Sequence, residues 1–151
     1  MDKRIHDAFY NEELAKVIED IPVKTGDPES VTITGINIMA IDPELKLPYC
    51  GTASIYYVPR NLAVFENYDL IRAITMMTMV EPVSQKVLCG KIGLFLKNKL
   101  NPFQYIISIE AKHLDIINRK SYKICTMSQF SDKEMSIDPT QMQYFINKDE
   151  K

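Results

Sequence analysis

The chain has 151 residues, of which 46% are hydrophobic and 25% charged, and its formal net charge at pH 7 is −2. This composition is typical of a single globular domain, and it argues against a protein that binds nucleic acid through an overall basic charge. The cysteine count is odd without any C-x-x-C pair, the N-terminus has no apolar signal region, and no apolar run reaches the ~18 residues of a membrane span, so we expect a cytoplasmic protein without a disulfide framework or a membrane segment.

The first half of the chain predicts a short helix followed by a β-hairpin. Residues 11–21 place their apolar side chains on one stripe behind Asn11, which can cap a helix. Residues 30–41 alternate as a strand, but the alternation changes phase at Gly35, which predicts a β-bulge. Residues 50–59 alternate again and end in proline, so the two strands are expected to pair as a hairpin.

The second half predicts two helices and then a second hairpin. Residues 67–77 carry an apolar stripe behind Asn67, a possible N-cap, and residues 83–100 carry another stripe. Residues 104–118 and 121–130 read as two antiparallel strands. The second helix stripe consists of Leu88, Ile92, Phe95, Leu96 and Leu100.

The order of these elements predicts the fold class. Residues 137–147, which open with Asp138 and a proline, predict a closing helix. Two hairpins with a helix pair between them indicate an α+β domain, with helices on one face of an antiparallel sheet. We expect residues 1–30 to form a short N-terminal helix and loop, and residues 31–151 to form a single domain.

Several stretches of the sequence are similar to GTP cyclohydrolase I. Residues 31–59 resemble the strand–loop–strand of that family, including its Gly-x-Ala-x-x-x-Tyr-[Ile/Val]-Pro ending. Residues 85–102 resemble its second helix, which ends Leu-Asn-Pro, and residues 107–120 resemble its Glu-Ala-x-His strand. Residues 140–147 are similar to its last helix, so the resemblance runs in the same order through residues 31–147.

The resemblance implies a tunnelling fold, which is a four-stranded antiparallel sheet with two helices packed on one face. In the family, oligomerisation completes a barrel and gives a toroidal, typically decameric enzyme with active sites between subunits. The enzyme opens the imidazole ring of GTP with a zinc-bound water and yields dihydroneopterin triphosphate. For this chain the resemblance therefore implies a homo-oligomer, possibly a decameric ring.

The residues at the family's zinc positions are changed. The resemblance places Asp42 on the first cysteine ligand, Leu45 on the histidine ligand and Asp115 on the second cysteine. Zinc hydrolysis needs protein ligands that hold the metal and leave one position for water, and a leucine offers no ligand atom. We therefore expect no zinc site of the family type.

The residues that hold the family's substrate are partly replaced. The resemblance puts Gln85 on the family's glutamine and Lys86 on its guanine-anchoring glutamate, whereas a shifted alignment would give that role to Glu81. A lysine cannot accept the paired N–H donors of a guanine edge. His113 keeps the position of the proton-transfer histidine, and Arg119 keeps that of a phosphate-contacting arginine.

Two alternatives remain open for these residues. Asp42, Glu44 and Asp115, together with His113, offer oxygen and nitrogen ligands for a hard divalent metal ion. Equally, Asp42 before a proline is ordinary turn chemistry, and His113 can be a histidine satisfied by a neighbour within the sheet. The cysteines, interpreted as buried small hydrophobes, are Cys50, Cys89 and Cys125.

The sequence is thus identified as a degenerate GTP cyclohydrolase I-like protein. It is expected to bind a nucleotide-, purine- or pterin-like molecule between subunits, without zinc-dependent ring opening and without another cofactor. The predicted site has His113 in the catalytic position and Gln85, Lys86 and Arg119 as ligand contacts. The alternatives are an active hydrolase with an altered metal site and a structural subunit of a mixed ring.

Overall fold

The computed structural model describes residues 16–115 and 118–132. The elements are β1 (Lys24–Thr25), β2 (Val31–Ile41), β3 (Pro48–Val58), β4 (Ala63–Val64), α1 (Asn67–Val80), α2 (Gln85–Leu100), β5 (Gln104–Asp115) and β6 (Lys120–Ser131). The four long strands form one antiparallel sheet in the order β2-β3-β5-β6, and the two short strands, β1 and β4, pair separately. The predicted α+β class is confirmed, while the β1–β4 pair was not predicted.

The bulge predicted in β2 is present at the expected glycine. The pairing register between β2 and β3 shifts between Ile33 and Ile36, and Gly35 has a φ of 74°. This left-handed backbone conformation strains a residue with a Cβ, which is why glycine stands there. After the shift, Ile36, Ile38 and Ala40 all face the helices and are buried.

The two helices begin by different means. Helix α1 is preceded by Glu66, which makes no side-chain capping bond, so the prediction that Asn67 caps this helix is wrong. Helix α2 is capped by Ser84, whose Oγ accepts a hydrogen bond from the backbone N–H of Val87 at 3.2 Å. It ends at Asn101, which has a left-handed φ of 46° and closes the last turn.

The core lies between the helices and one face of the sheet. The predicted stripe of α2 is confirmed, because all five of its residues are in or against this core. Gly93 lets the helix approach the sheet, since a Cβ there would lie 2.8 Å from the hydroxyl oxygen of Tyr105. The largest fully buried side chains of the core are Tyr49, Tyr57, Ile55, Leu70, Ile74, Leu88, Ile92, Leu96, Ile107 and Ile109.

The cysteines divide between the two faces of the sheet. Cys89 is buried on α2, as predicted, and burial raises the pKa of its thiol to about 12. Cys50 and Cys125 are exposed, so their interpretation as buried residues is wrong. Both point away from the helices, because side chains alternate between the two faces of a strand.

Two predicted helices fall wholly or partly outside the described residues. Residues 16–19 are helical, whereas residues 11–15 and the closing helix at 137–147 lie outside the described ranges. Within those ranges, no helix is long and apolar enough to cross a membrane.

Candidate functional site

Three segments meet at one end of the four-stranded sheet. They are the connection between β2 and β3, the start of α2, and the end of β5 with the turn into β6. His113 lies at this junction, directly opposite Tyr49 on β3. The two rings are stacked, with centroids 4.7 Å apart and an interplanar angle of 15°. This face contact fixes the plane of the half-buried imidazole.

Gln85 holds the edge of the same imidazole. Its Oε1 lies 2.6 Å from Nε2 of His113. Its Nε2 donates to two backbone carbonyls, those of Ile109 at 3.0 Å and Ile124 at 2.8 Å. The side chain is only 4% exposed, so it bridges the helix, β5 and β6 beneath the surface. Sequence reasoning expected Gln85 to contact a ligand. In the structure its amide is buried and contacts His113 and two strand carbonyls.

Tyr49, which stacks on His113, is itself fixed by burial and by a hydrogen bond. Its side chain is fully buried, and its hydroxyl donates to the carbonyl of Val83 at 2.6 Å. Burial, with a smaller effect from the charge of Asp42, raises the pKa of Tyr49 to about 12. Sequence reasoning missed this residue. The pairing register between β3 and β5, which come from different hairpins, sets Tyr49 opposite His113.

The cationic side of the site lies on the β5–β6 turn. An open depression of about 410 Å³ is lined by Leu114, Asp115, Arg119, Lys120 and Ser121. Arg119 is exposed, and its φ of 53° belongs to the tight turn. The depression begins one residue after His113 along β5, and its lining combines two cations, Arg119 and Lys120, with the carboxylate of Asp115.

Lys86 and Glu81 lie on the surface. Lys86 is exposed in the first turn of α2, one residue after Gln85. Glu81, the alternative anchor, follows the last residue of α1, and its carboxylate is 2.9 Å from the ammonium of Lys91. A surface ion pair of this kind contributes little to stability.

The carboxylates of the two aspartates at the expected metal positions accept hydrogen bonds from residues two or three positions further along the chain. Oδ1 of Asp42 accepts the backbone N–H groups of Glu44 at 2.9 Å and Leu45 at 3.0 Å. The carboxylate of Asp115 accepts two bonds from Asn118, from its backbone at 3.1 Å and its side chain at 2.8 Å. Both arrangements are typical of Asx turns.

These positions do not fit a zinc centre of the family type. Leu45 is 66% exposed and has no ligand atom. In residues 16–115 and 118–132, no group of three histidine, cysteine, aspartate or glutamate side chains is placed to hold a metal ion.

Comparison with known proteins finds a solved structure that has the same fold as this chain. No protein-family model matches the chain. A crystal structure of the archaeosine synthase QueF-Like in the apo form superposes with a TM-score of 0.54 and 16% sequence identity, covering 68% of this chain and 94% of that chain. That enzyme has the tunnelling fold and belongs to the superfamily that includes GTP cyclohydrolase I. This chain has the tunnelling fold as well.

A likeness at this identity shows the fold alone. The tunnelling fold accounts for the element order, the strand order and the position of both helices on one face. The resemblance to GTP cyclohydrolase I noted in the sequence is therefore confirmed at the level of the fold. It does not assign a role to any residue of this chain.

Proposed function

We propose that this tunnelling-fold chain binds a flat, hydrogen-bonding heterocycle of the purine or pterin type, free or as a nucleotide. The site is the end of the sheet around His113, and a second copy of the chain completes it. Zinc-dependent ring opening is not part of the proposal.

The observation that carries the proposal is the imidazole of His113, which is held on two sides at the end of the sheet where two cations line an open depression. His113 is held on its face by Tyr49 and on its edge by Gln85, both of which are buried. A preorganised polar group of this kind binds a ligand without the cost of ordering a side chain. Arg119 and Lys120, which line the depression at the turn after β5, would attract a phosphate or another anionic group.

Exposed apolar side chains support a subunit boundary at this end. Strands β2 and β6 are the outer strands of the described sheet, so each has an edge free to pair with another chain. Large apolar side chains that one copy leaves exposed lie on both edge strands, in the connection between β2 and β3, and at the end of β5. They are Met39, Ile41, Leu45, Leu114, Tyr122 and Ile124. A second copy that covers them would also close the pocket.

Ligand-dependent stabilisation of the purified chain tests the proposal. GTP, guanosine and neopterin are the probes, thermal unfolding is the readout, and native mass spectrometry of the same sample gives the oligomeric state. A probe at 100 times its Kd would stabilise the folded chain by about 2.7 kcal/mol. No shift with any of the three probes in a discrete oligomer would contradict the proposal.

An arginine pair separates a site from general charge attraction. Arg119→Gln should weaken binding of GTP about tenfold and leave guanosine nearly unchanged, because it removes one charged contact to phosphate. Arg72→Gln, an exposed arginine of α1, is the matched control and should change neither. Elemental analysis that finds about one transition metal per chain would instead favour a hydrolase with an altered metal site.

A further inference from the structure

The hydrogen bonds of Gln85 determine which way its amide points. Its Nε2 lies within 3.0 Å of two backbone carbonyl oxygens, those of Ile109 and Ile124. A carbonyl oxygen can only accept a hydrogen bond, so the atom between these two oxygens must be the amide NH2 group. Both of its hydrogens are then used. The remaining atom, Oε1, is an acceptor.

The orientation of the amide in turn determines the proton on His113. Nε2 of the imidazole is 2.6 Å from an atom that can only accept, so Nε2 must carry a hydrogen. Turning the ring over would set a carbon against Oε1 and lose the bond. In the neutral imidazole one nitrogen is protonated and the other is not, so Nδ1 is the unprotonated nitrogen.

We infer that Gln85 is a positioning residue that locks neutral His113 in the Nε2–H tautomer and leaves Nδ1 as the nitrogen that accepts a hydrogen bond or a proton. Nδ1 makes no hydrogen bond to any residue in the described ranges, and it is not among the buried unpaired atoms there. Gln85 therefore acts through His113 and does not contact the ligand.

This inference sharpens the chemistry of the ligand, and here it rests on the proposed function. An unprotonated Nδ1 accepts, so the part of the heterocycle that meets it must present an N–H or O–H donor. A guanine or pterin ring has such donors, on its ring nitrogens and its exocyclic amine. A ring edge that offers only acceptors would leave both lone pairs opposed, which costs free energy in a partly buried site.

The test reads the tautomer directly in the free protein. The full chain is labelled with 15N-histidine, and long-range 1H–15N spectra are recorded at about pH 8.5, above the ordinary histidine pKa of about 6.5. The chain has only two histidines, so a His6→Gln variant assigns the signals of His113. Nε2 should appear in the protonated range and Nδ1 in the unprotonated range.

Two matched variants show whether Gln85 is the cause. In Gln85→Met the acceptor is lost, and the signals of His113 should move to the averaged positions of a mixture of tautomers. Gln104→Met replaces an equally buried glutamine at the other end of β5 and should leave the His113 signals unchanged. A merely structural role for Gln85 would change unfolding without changing the tautomer.

The outcomes are decisive in each arm. An Nδ1–H tautomer in the unaltered chain would overturn the inference even if Gln85→Met does not fold, and an unchanged tautomer in a folded Gln85→Met would overturn it as well. In the complex with GTP or neopterin, the 15N signal of Nδ1 should shift while that of Nε2 stays. If neither probe binds, the proposed function fails while the free-protein spectrum still decides the tautomer.

Discussion

The two ends of strand β5 each have a buried glutamine, and they use it differently. Over the His113 end, Gln85 is 4% exposed and makes three hydrogen bonds. At the other end, Gln104 is 2% exposed and its Nε2 has no hydrogen-bond partner among the described residues. Equal burial therefore does not imply an equal role. The amide of Gln85 orients the imidazole of His113. The unpaired Nε2 of Gln104 lowers the free energy of unfolding, because a buried donor without a partner is costly.

At the Gln104 end, the contacts of Arg60 with Asn101, Asp132 and Phe103 form what we call the clasp. Arg60 donates from Nε to the carbonyl of Asn101 at 2.9 Å and pairs through its guanidinium with Asp132. Its Cζ lies 4.0 Å from the ring centroid of Phe103. These contacts connect three segments of the chain. At the His113 end, in contrast, Nδ1 of His113 has no hydrogen bond to any of the described residues, and Arg119 and Lys120 are exposed.

The largest loss of stability is expected from adding a side chain at Gly51, where β3 and β5 approach each other closely. A Cβ at Gly51 would lie 1.9 Å from the carbonyl oxygen of Glu110, so Gly51→Ala must push β3 and β5 apart. We expect a loss of about 3 kcal/mol in the free energy of unfolding, measured with urea. Gly90→Ala is the control, because its added Cβ meets no atom within 4 Å and should stabilise α2 by up to about 1 kcal/mol.

The two glutamines themselves give the next largest difference. Gln85→Met removes two hydrogen bonds to strand carbonyls and leaves the imidazole N–H without its acceptor, so we expect a loss of about 2 kcal/mol. Gln104→Met removes a buried donor that was unpaired and should be neutral or slightly stabilising. Urea unfolding of both variants measures the contrast. Equal losses in the two would show that the hydrogen bonds of Gln85 contribute nothing specific.

The fold was accessible from the sequence because its signals are local. The bulge at Gly35 and the apolar stripe of α2 follow from periodicity and from the conformational range of glycine. The site was less accessible because it depends on register. Nothing near Tyr49 in the sequence says that it stacks on His113, and the exposure of Cys50 follows from which face of β3 the helices cover.

Breaking the clasp should have a smaller effect that stays at the Gln104 end. Arg60→Met loses the partly buried ion pair with Asp132, the bond to Asn101 and the guanidinium over the ring of Phe103, so we expect a loss of about 1.5 kcal/mol. Arg72→Met on α1 should change the free energy of unfolding by less than about 0.5 kcal/mol. Binding of GTP should not change in Arg60→Met, and a matching loss of binding would contradict the separation of the two ends.

The smallest effect near neutral pH is expected for Tyr49→Phe, and it grows under alkaline conditions. The ring and its stack on His113 remain, while the hydroxyl bond to Val83 is lost, at a cost of about 1 kcal/mol.

Burial raises the pKa of Tyr49 from 10.0 to about 12, so its protonated form is favoured in the folded chain. That contribution is complete below about pH 10 and is lost as the pH rises toward 12. The unaltered chain should therefore lose stability across this window more steeply than Tyr49→Phe, which among the described residues retains the contributions of the raised pKa values of Cys89, Tyr57 and Lys24. The comparison uses the urea midpoints of both chains, measured from pH 9 to pH 11.5. If the two midpoints fall in parallel with pH, burial does not raise the pKa of Tyr49 in the folded chain.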